Sequence, residues 1–426
     1  NWPQSRHHHP TFALMVQARG LIERLALKAH GSSVPILAPV FLRRNIHASL
    51  VIQLPSPPRP GNARTRLQTG LVGLPNVGKS SLFNALLASP VAAAENFPFC
   101  TIEPNTGTVA VPDSRLEKLA DIYGSLRAIP TTLDFVDIAG LVAGASNGEG
   151  LGNKFLANIR ECDAIVHVVR CFEDEGVVHV SGAVDPVSDI EVIDIELGLA
   201  DLSVIERRLG KGSARKQGAE ERIVLEKLAE VLDSGRPARL CVLGEGELEI
   251  TRGLNLLTMK PVVYAANVAD EDLAKGNEMA RAVQEHAAAR GSVAVRVSAR
   301  VESELCALDG AEREEFLLAL GVEGTATGFR SLVGAVYDVL GLVTYYTAGE
   351  REARAWTIPG GSTAPQAAGV IHSDFERGFI RAETVGFQDL VAVGSEKVAR
   401  ERGKIRSEGK DYIVQDADVM HFKFNV

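Results

Sequence analysis

The chain has few cysteines and no long apolar run, and each absence argues against a class of protein. The five cysteines among 426 residues are odd in number, and none has C-x-x-C spacing. Neither a disulfide framework nor a zinc site is therefore predicted, and a reducing compartment is favoured. No run of about eighteen apolar residues occurs, so we expect no ordinary membrane span. The net charge of −9 gives no overall basic field that would attract nucleic acid.

Acidic residues are almost missing from the first 66 positions. This segment holds nine Lys and Arg against one acid, Glu23, whereas the rest of the chain carries 36 basic and 53 acidic residues. Together with the interrupted apolar run Phe12–Ala29, this composition is typical of an organellar transit peptide. A disordered extension and a mistaken gene model are the alternatives. We predict a chloroplast or mitochondrial location, with the cytoplasm as the alternative.

One stretch matches the phosphate-binding pattern G-x-x-x-x-G-K-[ST] at every position. It reads Gly73-Leu74-Pro75-Asn76-Val77-Gly78-Lys79-Ser80, and Ser81 follows it. The apolar run ahead of it predicts a buried strand, and helical spacing follows it. In such a loop the backbone N–H groups and the helix dipole bind phosphate. We therefore expect a bound nucleotide, with Lys79 on the outer phosphates and Ser80 as a ligand of Mg²⁺.

Strand-like and helix-like segments alternate from residue 67 onward, which predicts a parallel sheet wrapped by helices, the α/β fold of P-loop NTPases. The predicted strands are Leu67–Val72, Leu133–Asp137, Ala164–Cys171, Pro261–Asn267 and Ser292–Ser298. Ligands of open α/β sheets lie at the carboxyl ends of the strands. The residues that follow these strands are therefore candidate ligands.

Further parts of a nucleotide site follow in a suitable order. Asp137 begins the motif Asp-Ile-Ala-Gly140, in which the carboxylate can hold a Mg²⁺-bound water and the Gly140 N–H can meet the γ-phosphate. Thr101 lies between the two motifs, where a switch threonine would add a second hydroxyl to the metal. Base recognition is predicted at the ends of the last two strands, at Asn267, Val268, Asp270 and Ser298.

Two helical runs interrupt the alternation between the third and fourth strands. Asp189–Leu209 and Ala219–Leu232 are joined by a polar, glycine-containing link, which predicts an antiparallel helical hairpin inserted over residues 189–258. Its tip gathers the basic residues Arg207, Arg208, Lys211, Arg215, Lys216 and Arg222. A solvated tip and a contact with RNA or a ribosomal surface are both open.

The composition changes again after the helix Phe329–Leu340. Short strand-like runs with glycine and proline between them predict a separate small α+β domain over residues 342–426. The runs are Thr344–Thr347, Arg354–Ile358, Phe379–Ala382, Tyr412–Val414 and His421–Asn425.

From Gly70 to the C-terminus the chain resembles the Obg-like ATPase, or YchF, family of P-loop proteins related to translation factors. Besides the phosphate loop, the resemblance rests on Asn96-Phe-Pro-Phe-Cys-Thr-Ile-Glu-Pro-Asn105, Asp137-Ile-Ala-Gly-Leu-Val-Ala-Gly-Ala-Ser146, Gly148-Glu-Gly-Leu-Gly152 and Gly409-Lys-Asp-Tyr-Ile-Val414. It implies a G-domain over residues 67–341, interrupted by the hairpin, and a β-grasp TGS domain over 342–426. The chain looks closer to bacterial members, which supports an organelle.

The base motif departs from the N-K-x-D of ordinary GTPases, in which the lysine stem packs on the base and the aspartate accepts from guanine. Val268 replaces the lysine, which weakens the selection of guanine. Members of the family usually carry Glu in the fourth place and prefer ATP, whereas this chain has Asp270. We expect a preference for ATP, with use of GTP open.

Leu141 follows Asp137-Ile-Ala-Gly140 where many switch GTPases have a water-orienting glutamine, and leucine cannot orient water. The resemblance suggests that His179, after a loop that can move, approaches the γ-phosphate, so His179 and Lys79 are the candidate catalytic residues. Asn76 is a candidate ligand of K⁺. His167 lies inside an apolar strand and is interpreted as a core histidine.

The leading hypothesis is a Mg²⁺-dependent nucleotide hydrolase, ATP before GTP, acting as a ribosome-associated switch with no membrane partner. An Obg-type GTPase with the same parts is the first alternative. An RNA- or ribosome-binding module with nucleotide only as a ligand is the second. The sequence leaves the oligomeric state open.

Overall fold

The computed structural model describes residues 67–88, 105–138, 151–180, 182–210, 218–322 and 328–425. They belong to a single compact unit and form two six-stranded sheets. Within these ranges no helix is long and apolar enough to cross a membrane. Some predicted features lie outside them and stay predictions: the segment 1–66, Thr101, Gly140, Leu141, Lys211, Arg215 and Lys216.

The first sheet carries the phosphate-binding loop. The first seven strands along the chain are β1 (Gln68–Val72), β2 (Thr106–Ala110), β3 (Ala128–Ile129), β4 (Thr132–Asp137), β5 (Ala164–Arg170), β6 (Val262–Asn267) and β7 (Val293–Val297). All except β3 join this sheet, in the order β2-β4-β1-β5-β6-β7. The strands are parallel apart from β2, which runs antiparallel to β4. The five predicted strands are confirmed to within one residue at each end, and β2 and β3 were missed.

Helices alternate with these strands along the chain. They are α1 (Lys79–Ala88), α2 (Ser114–Tyr123), α3 (Leu151–Glu161), α4 (Pro186–Leu209), α5 (Ala219–Asp233), α6 (Glu245–Arg252), α7 (Glu278–Ala289), α8 (Ala299–Leu305), α9 (Gly310–Ala319) and α10 (Gly328–Val339). All seven residues of β5 are buried, as expected for a central strand of a parallel sheet. Leu82 of α1 and Val336 of α10 share the core with β5.

The helices α4 and α5 pack on each other and have an apolar cluster of their own. Arg208 near the end of α4 pairs with Glu221 near the start of α5 at 3.8 Å, so the two helices run antiparallel. The helix α4 begins three residues earlier than predicted, because Asp185 caps it by accepting a hydrogen bond from the Ser188 N–H. The buried Asp201 carboxylate accepts backbone N–H bonds from residues 257 and 258, which fixes α4 to the segment that enters β6.

The second sheet forms the C-terminal part of the chain. Its strands are β8 (Leu342–Ala348), β9 (Ala353–Pro359), β10 (Phe379–Gly386), β11 (Arg406–Glu408) and β12 (Asp418–Phe424). Its helices are α11 (Ala364–Ile371), α12 (Ser373–Arg377), α13 (Phe387–Val393) and α14 (Glu396–Glu401). The strand predicted at Tyr412–Val414 is wrong, since only one isolated bridge, Thr363 to Ile413, forms there.

The segment between β2 and β4 joins the two sheets. The short strand β3 pairs with β9 and completes the second sheet in the order β11-β10-β12-β8-β9-β3. Leu116 and Leu119 of α2 lie in the same apolar cluster as Tyr346 of β8. Arg115 donates to the Asp416 carboxylate at 2.6 Å and to Asp113 at 2.8 Å. The two parts are therefore held together by strand pairing, apolar packing and charge.

Candidate nucleotide-binding site

The phosphate-binding loop runs from the end of β1 to the start of α1. Gly78 has φ +89, and a Cβ there would lie 2.3 Å from the Asn267 Nδ2 atom. A Cβ on Gly73 would lie 2.7 Å from the Val168 carbonyl oxygen of β5. Both glycine positions of the pattern therefore need glycine for a close backbone approach, and Gly78 needs it for its left-handed conformation as well.

Lys79 and Ser80 meet Asp137 at the carboxyl edge of the sheet. Leu71 of β1 is in register with Asp137 of β4, so the aspartate lies beside the loop that follows β1. The Lys79 ammonium forms an ion pair with one Asp137 carboxylate oxygen. The Ser80 hydroxyl donates to the other at 3.0 Å. The structure thus brings together three of the residues predicted to bind phosphate and metal.

These groups suit Mg²⁺ by their chemistry. A serine hydroxyl and an aspartate carboxylate are hard oxygen donors, and Mg²⁺ at nucleotide sites takes one or two protein oxygens, with phosphate oxygens and waters as the remaining ligands. In the part of the chain that the structure describes, no group of three or more His, Cys, Asp or Glu side chains could hold a metal by itself. Ser80 and Asp137 thus offer oxygen donors of the kind that binds Mg²⁺ together with a nucleotide, and the role of Ser80 as a metal ligand stays a prediction.

Asn267, at the end of β6, stabilises the phosphate-binding loop through a hydrogen bond. Its amide donates to the Val77 carbonyl oxygen at 2.9 Å and accepts from the Ala299 N–H at 3.0 Å. Because one side chain spans the phosphate loop and the start of α8, Asn267 fixes the distance between the predicted phosphate and base subsites. Its side chain is buried.

Val268 does not offer a surface for stacking. Its side chain is 2% exposed and lies in the core of the first sheet. In this conformation it is unlike the lysine stem that packs on a base. Its predicted place in the base site stays a prediction, and a contact with the base would come from its backbone rather than from its side chain.

Ser298 and Asp270 face each other at the predicted base subsite. The Ser298 hydroxyl caps α8 and donates to the Asp270 carboxylate at 2.9 Å. Arg300, which the sequence analysis missed, places its Nε atom 3.3 Å from the other Asp270 oxygen. The spacing of two residues from Ser298 was the available signal, because it puts the arginine on the first turn of α8.

The loop between β5 and α4 carries His179. The buried Arg170 guanidinium donates to three carbonyl oxygens of this loop, those of Phe172, Asp174 and Val177, at 2.9 to 3.2 Å. These hydrogen bonds could not be predicted from the sequence, because the loop carbonyl oxygens come close to Arg170 only when the loop folds back over the strand. Arg170 therefore fixes the conformation of the residues that lead to His179.

One contact joins the residue before His179 to the phosphate loop, and another orients the His179 imidazole. The Asn76 amide donates to the carbonyl oxygen of the preceding residue, Val178, at 3.1 Å. The His179 Nε2 atom lies 2.9 Å from an Asp189 carboxylate oxygen, and both side chains are buried. Burial raises the pKa of Asp189 above its usual value, opposed by its hydrogen bond with His179. The catalytic role of His179 stays a prediction; its position next to Asn76 is compatible with it.

His167 is a core residue, as predicted. It is buried in β5 beside Tyr264, with ring centroids 5.5 Å apart, and burial lowers its pKa to about 3. The imidazole is therefore neutral at physiological pH and takes no part in the site.

Comparisons with known proteins agree with this site. A family model described as a 50S ribosome-binding GTPase matches residues 68–198. The YchF-GTPase C-terminal model, described as a protein of unknown function (DUF933), matches residues 342–425. The ribosome-binding ATPase YchF of Bacillus subtilis is 50% identical over 367 residues, covering 84% of this chain and 100% of the relative. The Haemophilus influenzae ribosome-binding ATPase YchF is 54% identical over 362 residues, covering 84% and 99%.

A solved structure agrees as well. The structure of the Schizosaccharomyces pombe YchF GTPase matches with a TM-score of 0.77 at 37% identity, covering 86% of this chain and 99% of that one. Fold and site define a P-loop nucleotide-binding protein. The chain belongs to the YchF family and consists of a P-loop GTPase domain followed by a YchF C-terminal domain. The resemblance recognised in the motifs is thereby confirmed.

Proposed function

We propose that this protein is a Mg²⁺-dependent nucleotide hydrolase that prefers ATP and acts as a regulatory switch on the ribosome. The observation that supports it most directly is the convergence of Lys79, Ser80 and Asp137 at the phosphate loop. Two relatives that align with this chain over 99% to 100% of their own length are called ribosome-binding ATPases.

Each residue of the site has a separate proposed role in binding the phosphates or the metal. The Lys79 ammonium, which pairs with Asp137, turns to the outer phosphates when a nucleotide enters. Ser80 would hold Mg²⁺, which would neutralise negative charge on the phosphates. Asp137 would accept hydrogen bonds from metal-bound water. The backbone N–H groups from Asn76 to Ser80 surround the phosphates, as the turn at Gly78 allows.

Water activation is assigned to His179, since leucine at position 141 cannot orient water. The His179 Nε2 atom lies 2.9 Å from an Asp189 carboxylate oxygen, which fixes the orientation of the imidazole. The Asn76 amide donates through its nitrogen to Val178. Its oxygen is of the type that binds K⁺, so a bound K⁺ that assists catalysis is part of the proposal.

Lys79→Ala and Ser80→Ala test the division of roles at the phosphates. Both should abolish turnover of ATP, the first by loss of a charge on the phosphates and the second by loss of a metal ligand. Raising the Mg²⁺ concentration should partly restore turnover only in Ser80→Ala. Lys397→Ala, at an exposed position of the second sheet's helices, is the matched control and should hydrolyse ATP as the parent does. Equal rescue of both variants would contradict the roles assigned here.

Ribosome association is tested at the tip of the α4–α5 hairpin. Arg207, Arg208 and Arg222 lie on the described part of the tip, and an RNA phosphate backbone would attract them. Reversing these charges should reduce co-sedimentation with ribosomal subunits and leave ATP turnover in the absence of ribosomes unchanged. Unaltered co-sedimentation would contradict a ribosome contact at this tip.

The acid-poor segment 1–66 supports an organellar location, chloroplast or mitochondrion, over the cytoplasm. A fluorescent fusion of the full chain should enter the organelle, and a fusion of residues 67–426 should stay in the cytoplasm. Cytoplasmic fluorescence from both fusions would refute the location.

A further inference from the structure

The base subsite contains an unusual combination of charges. Asp270 occupies the place from which an aspartate accepts two guanine N–H groups in ordinary GTPases, and both of its oxygens already have partners. The Ser298 hydroxyl donates to Oδ1 at 2.9 Å, and the Arg300 Nε atom lies 3.3 Å from Oδ2. The Asp270 side chain is about one quarter exposed (26%), and each carboxylate oxygen has a second lone pair that can accept from a base.

We propose that Arg300 is a specificity-determining residue that changes the base preference of this subsite from guanine to adenine. This inference rests on the proposed preference for ATP and names the residue that causes it. The reading edge of guanine presents two N–H donors, which need both carboxylate oxygens as acceptors. The edge of adenine presents one amino donor beside a ring nitrogen that is an acceptor. A carboxylate paired with a guanidinium presents one acceptor beside one donor, which matches adenine and not guanine.

The position of Arg300 supports this role. It lies on the first turn of α8, two residues after the cap Ser298, and its side chain is 77% exposed. The guanidinium therefore reaches the Asp270 carboxylate from the solvent side, where a base would enter. Asn267 fixes the start of the same helix to the phosphate loop, so the distance from Arg300 to the phosphates is defined.

Glu304 limits the strength of the pair. Its carboxylate accepts from the same Arg300 Nε atom at 3.3 Å, one helical turn further along α8. Arg300 is thus shared between two acids and is well hydrated. Exposed ion pairs contribute little by themselves, about 0.2–1 kcal/mol. We therefore expect a change in base preference of about two- to fivefold rather than a complete exchange of substrate.

The test compares the dissociation constants of ATP and GTP, with Mg²⁺, for the full chain and for Arg300→Ala. The ratio of the GTP to the ATP constant should fall about two- to fivefold in the variant, because guanine gains access to the Asp270 Oδ2 atom and ATP loses a donor. Arg377→Ala is the matched control: this arginine is 76% exposed, pairs with Asp374 within a helix, and lies in the second part of the chain. It should leave the ratio unchanged.

A second variant removes the carboxylate that guanine would use. In Arg300→Ala combined with Asp270→Asn, the gain in GTP affinity should disappear, because the amide cannot accept both guanine donors. A ratio in Arg300→Ala within twofold of the parent, or equal weakening of both nucleotides, would overturn the role of Arg300. If the parent binds GTP more tightly than ATP, the proposed preference for ATP fails, whatever the variant does. The two failures are therefore distinguishable.

Discussion

Glu302 on α8 is a buried acid whose ionisation should destabilise the protein. Its side chain is 3% exposed and accepts a hydrogen bond from the Phe329 N–H at 3.0 Å. Burial raises the pKa of Glu302 to about 7, from an unfolded value of 4.5. Replacing it by glutamine keeps the acceptor for Phe329 and removes the charge. Glu302→Gln should therefore stabilise the fold at alkaline pH.

The sign follows from the two pKa values. Because the folded pKa exceeds the unfolded one, the folded state binds the proton more tightly, and stability falls as the pH rises from about 4.5 to about 7. Above that window the buried charge costs about 3 kcal/mol, from roughly 2.5 pKa units at about 1.4 kcal/mol each. Below it both states are protonated and the cost vanishes.

The assay is urea unfolding of the nucleotide-free protein at pH 5 and at pH 8. Glu302→Gln should gain up to about 3 kcal/mol in unfolding free energy at pH 8 and less than about 1 kcal/mol at pH 5. Glu304→Gln on the same helix is the matched control, since its side chain is 46% exposed, and it should show no such difference. Equal gains for Glu302→Gln at the two pH values would refute the reasoning.

Two further predictions concern catalysis and the junction of the two sheets. His179→Ala should lower kcat for ATP by about 10²–10⁴-fold and leave the Kd nearly unchanged, because Lys79 and Ser80 hold the phosphates. A single-turnover rate within about threefold of the parent would exclude His179 as the catalytic group. Arg115→Ala should lower the unfolding free energy by about 1–3 kcal/mol, because it leaves two carboxylates without their shared partner. Faster hydrogen exchange in β8 should accompany the loss, and unchanged exchange there would contradict a role of Arg115 at the junction.

The sequence predicted the parts of the fold that depend on local pattern. The parallel strands are apolar runs, and the phosphate loop is a fixed motif, so β1 and β4 to β7 were located. Strand β2 was missed because its sequence Thr-Gly-Thr-Val-Ala is short and half polar, and β3 because two residues carry no periodicity. Strand pairing with β9, far along the chain, is what makes β3 a strand.

The site residues could be predicted from the sequence more readily than the residues that they contact. Lys79, Ser80 and Asp137 follow from motif positions at neighbouring strand ends. The contacts of Arg170 and His179 depend on how the β5–α4 loop folds back, and the pairing of Arg300 with Asp270 depends on two neighbouring strands ending at the same depth. Such contacts arise from tertiary geometry, which single-chain spacing does not contain.

The central claim is a nucleotide site that prefers ATP, and titration calorimetry of the unmodified chain with ATP and with GTP, both with Mg²⁺, tests it most directly. The replacement of the guanine-favouring lysine by Val268 and the pairing of Asp270 with Arg300 predict tighter binding of ATP. Binding of GTP more than about tenfold tighter than ATP, a difference of about 1.4 kcal/mol, would contradict the account.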